Sequence, residues 1–337
     1  MELYLAVLAF STSLILTALL AEPLIKLLRR MGIVRPDAHK PGNPTVAHSG
    51  GVILFLGVTS SLLTTILLAG PSTPLSLKIL IMLASGATCF AVGLVDDVKI
   101  LRGGVKTVLT LLGILPVLVA GVQAPQLIEW GRPVLPLIGR LRITIIYWAL
   151  MPLSIAGAAN IVNMLDVMNG VIPGTSIIAF SALAVASLIL GREATLIASL
   201  AVLGALIAYY KYNAYPARVF NGDSGSLFLG ALIGAIAVVD HMEFIALTLL
   251  LPHLLNGFFV LVSFRGFKEH RQIRKRPIQV DNNGILTAST DPDAPLSLTR
   301  VILAVGGPSR EPEVAKAYIL LEAVAAALAL VSAWLMR

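Results

Sequence analysis

The stretch Val92-Gly-Leu-Val-Asp-Asp-Val-Lys-Ile-Leu101 decides how the chain is read, because a long apolar run ends there in two adjacent carboxylates, Asp96 and Asp97. In a soluble loop such a pair would be a helix cap or a solubilising patch. Here it stands where a membrane-crossing helix meets water. Two like charges at that depth need a cation or basic side chains beside them. Lys99, Arg102 and Lys106 follow at once, so the segment reads as a mixed-charge site at a membrane surface.

Composition agrees. Of 337 residues, 57% are hydrophobic and 13% charged, with a mean hydropathy of +0.89, whereas soluble domains carry about 25% charged residues. The single cysteine, Cys89, lies in an apolar run and rules out a disulfide framework. The first apolar segment is too long for a signal-peptide core and has no basic flank before it, so it is expected to stay as a helix. The net charge of +7 is confined to particular loops. That distribution points to head groups, phosphates or topology signals rather than to nucleic acid.

A helix needs about 20 apolar residues to span the hydrocarbon core. That length predicts an all-α polytopic membrane protein of about ten spans, at 3–26, 49–69, 76–95, 105–121, 142–158, 174–190, 193–210, 223–240, 243–264 and 314–336. Pro116 and Pro152 interrupt the fourth and fifth. All but six of the 25 Lys and Arg residues flank or fill the odd-numbered connections; the exceptions are Lys78, Arg132, Arg140, Arg142, Arg192 and Arg337. The positive-inside rule then puts both termini outside and the odd connections in the cytoplasm. Residues 1–337 form one integral membrane domain, with no repeat and no second domain. Two connections are long. The outer one, 122–141, is rich in Pro and Gly and predicts a short hairpin. The cytoplasmic one, at about 265–313, carries the turn signal Asp281-Asn-Asn-Gly284 and predicts a small β-hairpin.

Polar residues away from helix ends are scarce, and they gather on the cytoplasmic side. They are Arg35 to Gly51, Asp96 to Lys106, Asn160 to Gly170, Phe220 to Ser226 and the basic run Lys268–Arg276. Asn160, Asn163 and Asp166 share one face if the fifth helix continues. There they either hold a hydrated cation and a polar ligand or tie helices together by hydrogen bonds. Gly222-Asp-Ser-Gly-Ser226 opens the eighth span. It is either an ordinary N-cap or a phosphate site, and Asp223 beside a phosphate requires Mg²⁺ between them. No Walker A loop, dinucleotide fingerprint or zinc spacing is present. Hard oxygen ligands with Lys and Arg suit Mg²⁺-assisted phosphoryl transfer on a lipid phosphate. A transporter would place ionisable groups near the midplane and often shows repeats, and a lipid-binding scaffold would have no use for Asp223, Asn163 and Asp166.

Four motifs in order, Asp37-x-x-Lys40 through Gly50-Gly51, Gly93-x-x-Asp96-Asp97, Asn160-x-x-Asn163-x-x-Asp166-x-x-Asn169-Gly170 and Gly222-Asp223-x-Gly225-Ser226-Leu227, resemble the polyprenyl-phosphate N-acetylhexosamine-1-phosphate transferases. The resemblance covers nearly the whole chain. It looks most like the archaeal and eukaryotic dolichyl-phosphate N-acetylglucosamine-1-phosphate transferases, since the bacterial three-histidine run is missing from the last loop. Such enzymes pass a sugar 1-phosphate from a UDP-sugar to a polyprenyl or dolichyl phosphate, releasing UMP, as the first step of lipid-linked glycan assembly. The resemblance implies a multi-pass enzyme of the cell membrane with a cytoplasmic active site, and it admits a homodimer. It implies Mg²⁺, with Mn²⁺ as a substitute, on Asp223 and Asn163, and Lys106 on the pyrophosphate. Asp96 and Asp97 would act on the lipid phosphate, and Asn169 and Phe220 on uracil. Lys40, Asn160, Asp166, Arg274, Lys275 and Arg276 would line the rest of the substrate site.

Overall fold

In lipid a backbone can satisfy its N–H and C=O groups only internally, so long apolar runs become helices. In the computed structural model, which describes residues 2–128, 131–263 and 275–337, the helices in chain order are α1 (Glu2–Arg30), α2 (Gly51–Ala69), α3 (Pro74–Lys99), α4 (Gly103–Thr110), α5 (Leu115–Gln123), α6 (Thr144–Leu165) and α7 (Val171–Leu190). They continue as α8 (Glu193–Asn213), α9 (Gly222–Asp240), α10 (Glu243–Leu249), α11 (Leu251–Ser263), α12 (Leu298–Gly306) and α13 (Glu311–Leu335). Among the described residues, nine helical stretches are long and apolar enough to cross a membrane; α4, a 3-10 turn and α5 together form one of them. The pair α10–α11, bent by 66°, passes the same length and hydropathy test when taken together and makes ten if it counts as one span.

The expected spans stand, with three changes that matter to the site. The third span runs four residues further, to Lys99, so Asp96 and Asp97 lie on the helix itself. The fifth runs to Leu165 straight through Pro152, which makes Asn160 and Asn163 helical positions. It stops before Asp166, and Gly170, at φ +79°, turns the chain into α7. The ninth span is broken beside Pro252, whose ring and missing N–H oppose a continuous helix.

Short strands join the helices. The outer hairpin is present as β3 (Val134–Leu135) with β4 (Gly139–Arg140), and the hairpin of the last connection as β5 (Ile278–Val280) with β6 (Ile285–Ala288). Its turn is held by Asp281 Oδ1, which accepts the Asn283 and Ile285 N–H groups, each at 2.8 Å. Two further pairings were not foreshadowed: β1 (Val34–Pro36) with β2 (Thr45–Ala47), and β7 (Ser309–Arg310) added to β6. The last connection is tied at its base, where Ser263 Oγ accepts the Leu296 N–H (2.8 Å) and Asn256 Oδ1 accepts the Leu298 N–H (3.1 Å).

The axis of the bundle is α9, with 94% of its span buried. Lipid offers no hydrophobic drive between helices, so close packing of small residues does the work. A Cβ on Gly51 would overlap the Gly225 backbone, one on Gly93 the Asp223 and Ser224 backbone, and ones on Gly230 and Gly234 the main chain of α6. Phe55 and Phe90 stack at 3.9 Å with Phe228 against their edges. Gly51→Ala should push α2 off α9 and lower stability by about 1–3 kcal/mol, as overpacking does. Thermal unfolding in detergent beside Gly157→Ala, where an added Cβ meets nothing within 4 Å, checks this, and only the first variant should melt early.

Candidate active site

Adjacent residues on a helix point about 100° apart, so Asp96 and Asp97 serve different neighbours. Asp97, buried, turns to the start of α9. Its Oδ1 accepts the Asp223 N–H (2.8 Å), and its Oδ2 accepts the Ser224 hydroxyl (2.6 Å) and N–H (3.3 Å). The residue before α9, Asn221, gives no side-chain cap, so the acceptors come from another helix. His48 Nε2 lies 3.2 Å from Asp97 Oδ1, and the Arg35 guanidinium donates to the Asp97 carbonyl (3.2 Å).

Asp96 faces the other way. Its Oδ1 accepts the Leu101 N–H (2.5 Å) and its Oδ2 lies 3.3 Å from Lys106 Nζ. Lys106, on α4, also pairs with Asp223 in the first turn of α9. Asn163 reaches the same point from α6. In the amide orientation that satisfies both ends, its nitrogen donates to Asp223 Oδ1 (3.2 Å) and Ser226 Oγ (2.7 Å), and its oxygen accepts from Lys106 Nζ (3.2 Å). Two carboxylates, one ammonium and one amide from four helices thus converge at the end of the bundle that carries the basic connections. Hard oxygens around a single ammonium form a donor set suited to a divalent cation.

Beside this knot, the half-buried Asp166 follows the end of α6. Burial, with the Asp223 and Asp97 carboxylates, pushes its carboxyl up to about 8. Asn160 takes no part in the knot. Its amide donates to Thr110 Oγ1 (2.8 Å) and the Ala156 carbonyl (2.7 Å), which ties α6 to α4.

A second cluster lies across the α6–α7 turn. Asn169 Nδ2 donates to Asp37 Oδ2 (3.1 Å), Asp37 pairs with Lys40, and the Asn169 N–H donates to Glu311 Oε1 (2.8 Å). Burial raises the Asp37 carboxyl, but hydrogen bonds from Lys40 and Asn169 and the Lys40 charge outweigh it and hold the group below its usual range. Ligand atoms of Asp37, His39 and Glu311 lie within 4.8 Å of one another; Lys40 already supplies the cation there. Burial lowers the His39 pKa, favouring the neutral ring. Phe220 is set by its backbone, its N–H donating to the Ala47 carbonyl and its own carbonyl accepting from Gly50, each at 2.8 Å.

Lys40 and Arg276 line a cavity of about 610 Å³ between the 38–43 loop and the β5–β6 hairpin, with Asn43, Lys275, Gln279 and Asp281. Lys275 pairs there with Asp291 (3.0 Å) and Asp293 (2.7 Å). Arg274 lies outside the described residues, as does the basic run before it. Glu311 had no signal in the sequence, where it passes for an acid preceding a span.

The family model described as glycosyl transferase family 4 matches residues 79–241. A phospho-N-acetylmuramoyl-pentapeptide-transferase of Moorella thermoacetica is 34% identical over 272 residues, covering 73% of this chain and 77% of the relative. One from Shouchella clausii is 31% identical over 282 residues, covering 79% and 83%. A Saccharolobus solfataricus protein provisionally named UDP-N-acetylglucosamine–dolichyl-phosphate N-acetylglucosaminephosphotransferase is 29% identical over 292 residues, covering 84% and 83%. The chain belongs to this family. As one of the polyprenyl-phosphate hexosamine-1-phosphate transferases it is a membrane enzyme of phosphoglycosyl transfer, and its Asp pair stands inside the matched region.

The two members of that pair should separate in experiment. An Asn at 97 would put an amide donor where the Asp223 and Ser224 groups now donate, whereas an Asn at 96 keeps the acceptor for Leu101 and gives up only the charge facing Lys106, which retains Asp223. Asp97→Asn should therefore lower unfolding stability by about 1–3 kcal/mol, while Asp96→Asn unfolds close to the wild type. Equal melting of the two variants would remove the capping role.

Proposed function

We propose that this transferase passes N-acetylglucosamine 1-phosphate from UDP-N-acetylglucosamine to a polyprenyl phosphate of the dolichyl type, at the cytoplasmic face, and releases UMP. The convergence of Asp96, Lys106, Asn163 and Asp223 at the basic end of the bundle carries this reading. Asp223 and Asn163 would hold Mg²⁺, which when bound neutralises charge on the diphosphate. Lys106 would contact the diphosphate of the donor. Asn169 and Phe220 hold the uracil end, and Lys40, Lys275 and Arg276 face the diphosphate and sugar.

An oxygen of the lipid phosphate, oriented by Asp96, attacks the β-phosphorus of the donor. The bond from that phosphorus to the bridging oxygen breaks, and UMP leaves with the electron pair. A phosphate monoester has its second pKa near 6, so the nucleophile is already ionised at pH 7 and needs no strong base. The peptidoglycan-type relatives support a second reading, the same transfer from UDP-N-acetylmuramoyl-pentapeptide. The missing histidine run favours the first.

UMP release by purified protein, given UDP-N-acetylglucosamine, dolichyl phosphate and Mg²⁺, tests the proposal. Release should require the lipid and stop with EDTA. Asp223→Ala should lose about 10²–10³-fold in turnover, the scale of a lost electrostatic contact to the reacting phosphate. Asp96→Asn should lose turnover while keeping nucleotide binding. Release from UDP-N-acetylmuramoyl-pentapeptide alone would establish the second reading, and no release from either donor would overturn both.

A further inference from the structure

Glu311 is the first residue of α13, directly after β7, yet it does not serve its own helix. That task falls to Glu313, whose Oε2 reaches back to accept the Arg310 N–H (2.6 Å). Glu311 instead points into the bundle and is 2% exposed. Its Oε1 accepts the N–H of Asn169, itself 3% exposed. Its Oε2 has no hydrogen-bond partner, and Lys40 Nζ stands 4.0 Å from it. A buried carboxylate with one oxygen unpartnered is unfavourable on its own account, so its retention at this point needs a reason beyond the fold.

We propose that Glu311 is the positioning residue of the nucleoside end of the donor site. The Asn169 backbone is held by Glu311 and its side-chain amide by Asp37, which leaves that residue one orientation. Lys40 is shared between Asp37 and Glu311, so the same carboxylate also limits where the ammonium can sit. Because β7 pairs with β6 of the last connection, Glu311 joins that connection to the pocket across the α6–α7 turn. Donor binding and the placement of the last connection are thereby one event. This inference rests on the nucleotide-sugar reading above.

The test is equilibrium binding of UMP to the full-length protein, with KM values for UDP-N-acetylglucosamine and for dolichyl phosphate measured alongside. Glu311→Ala should weaken UMP binding and raise the donor KM by about tenfold or more, the scale of a lost hydrogen bond to a charged buried group. The KM for lipid phosphate should stay unchanged. Glu311→Gln keeps the shape and one acceptor, so it should restore part of the loss, and it serves if the alanine variant does not fold. Asn169→Ala should add little to the loss of UMP binding in the Glu311→Ala background, while Asp96→Asn should leave UMP binding unchanged in either background.

Equal loss for nucleotide and lipid would reduce Glu311 to a structural residue and overturn the proposal. So would full additivity with Asn169→Ala. Wild-type affinity for UMP in both Glu311 variants would overturn it while leaving the nucleotide-sugar reading intact. A wild-type protein that binds no uridine nucleotide would overturn that reading and this one together.

Discussion

A helix leaves its first N–H groups without partners inside the helix, and at the buried start of α9 they are met by a carboxylate from α3. Asp97 accepts from Asp223 and Ser224, and the site is built outward from that contact. It anchors Asp223 in the first turn of α9, aimed at Lys106 and Asn163. It also sets Asp96, the next residue back, about 100° round the helix, toward Lys106. The axial helix and the clustered carboxylates therefore share one register. Gly93, one turn before the pair, lets the two backbones approach closely enough for the contact to form.

The same economy holds across the knot. Charges that would be unfavourable singly at this depth are arranged as two carboxylates around one ammonium, with amide and backbone donors completing them. Lys106 is the only basic side chain that reaches both Asp96 and Asp223 among the described residues. Since α4 is short and passes into a 3-10 turn, that lysine sits on a segment set by its neighbours in the bundle rather than by a long helix of its own.

Hydropathy made the ten spans legible because it reports environment, and each run met the length a bilayer requires. The Asp281-Asn-Asn-Gly hairpin was legible because turn chemistry is local. Asp96, Lys106, Asn163 and Asp223 do meet, as the family resemblance implied. What stayed hidden was partnership over long separations. Asp97 caps a helix 126 residues away, and Glu311 takes an N–H from 142 residues back; neither has a local signature. Asn160 shares the helix face of Asn163 but is spent on Thr110, since periodicity assigns a face and says nothing of what covers it. The bend beside Pro252 was missed for a related reason, because a hydropathy window sees one continuous apolar run.

The ties at Ser263 and Asn256 close the base of the last connection on the bundle, so the chain that carries the β5–β6 hairpin departs and returns through one fixed doorway. A loop clamped in this way adds only a logarithmic entropic term as it lengthens. The membrane core is thus indifferent to how much chain hangs from that doorway. Within one scaffold, that stretch can be lengthened, shortened or exchanged while the membrane-spanning helices keep their packing.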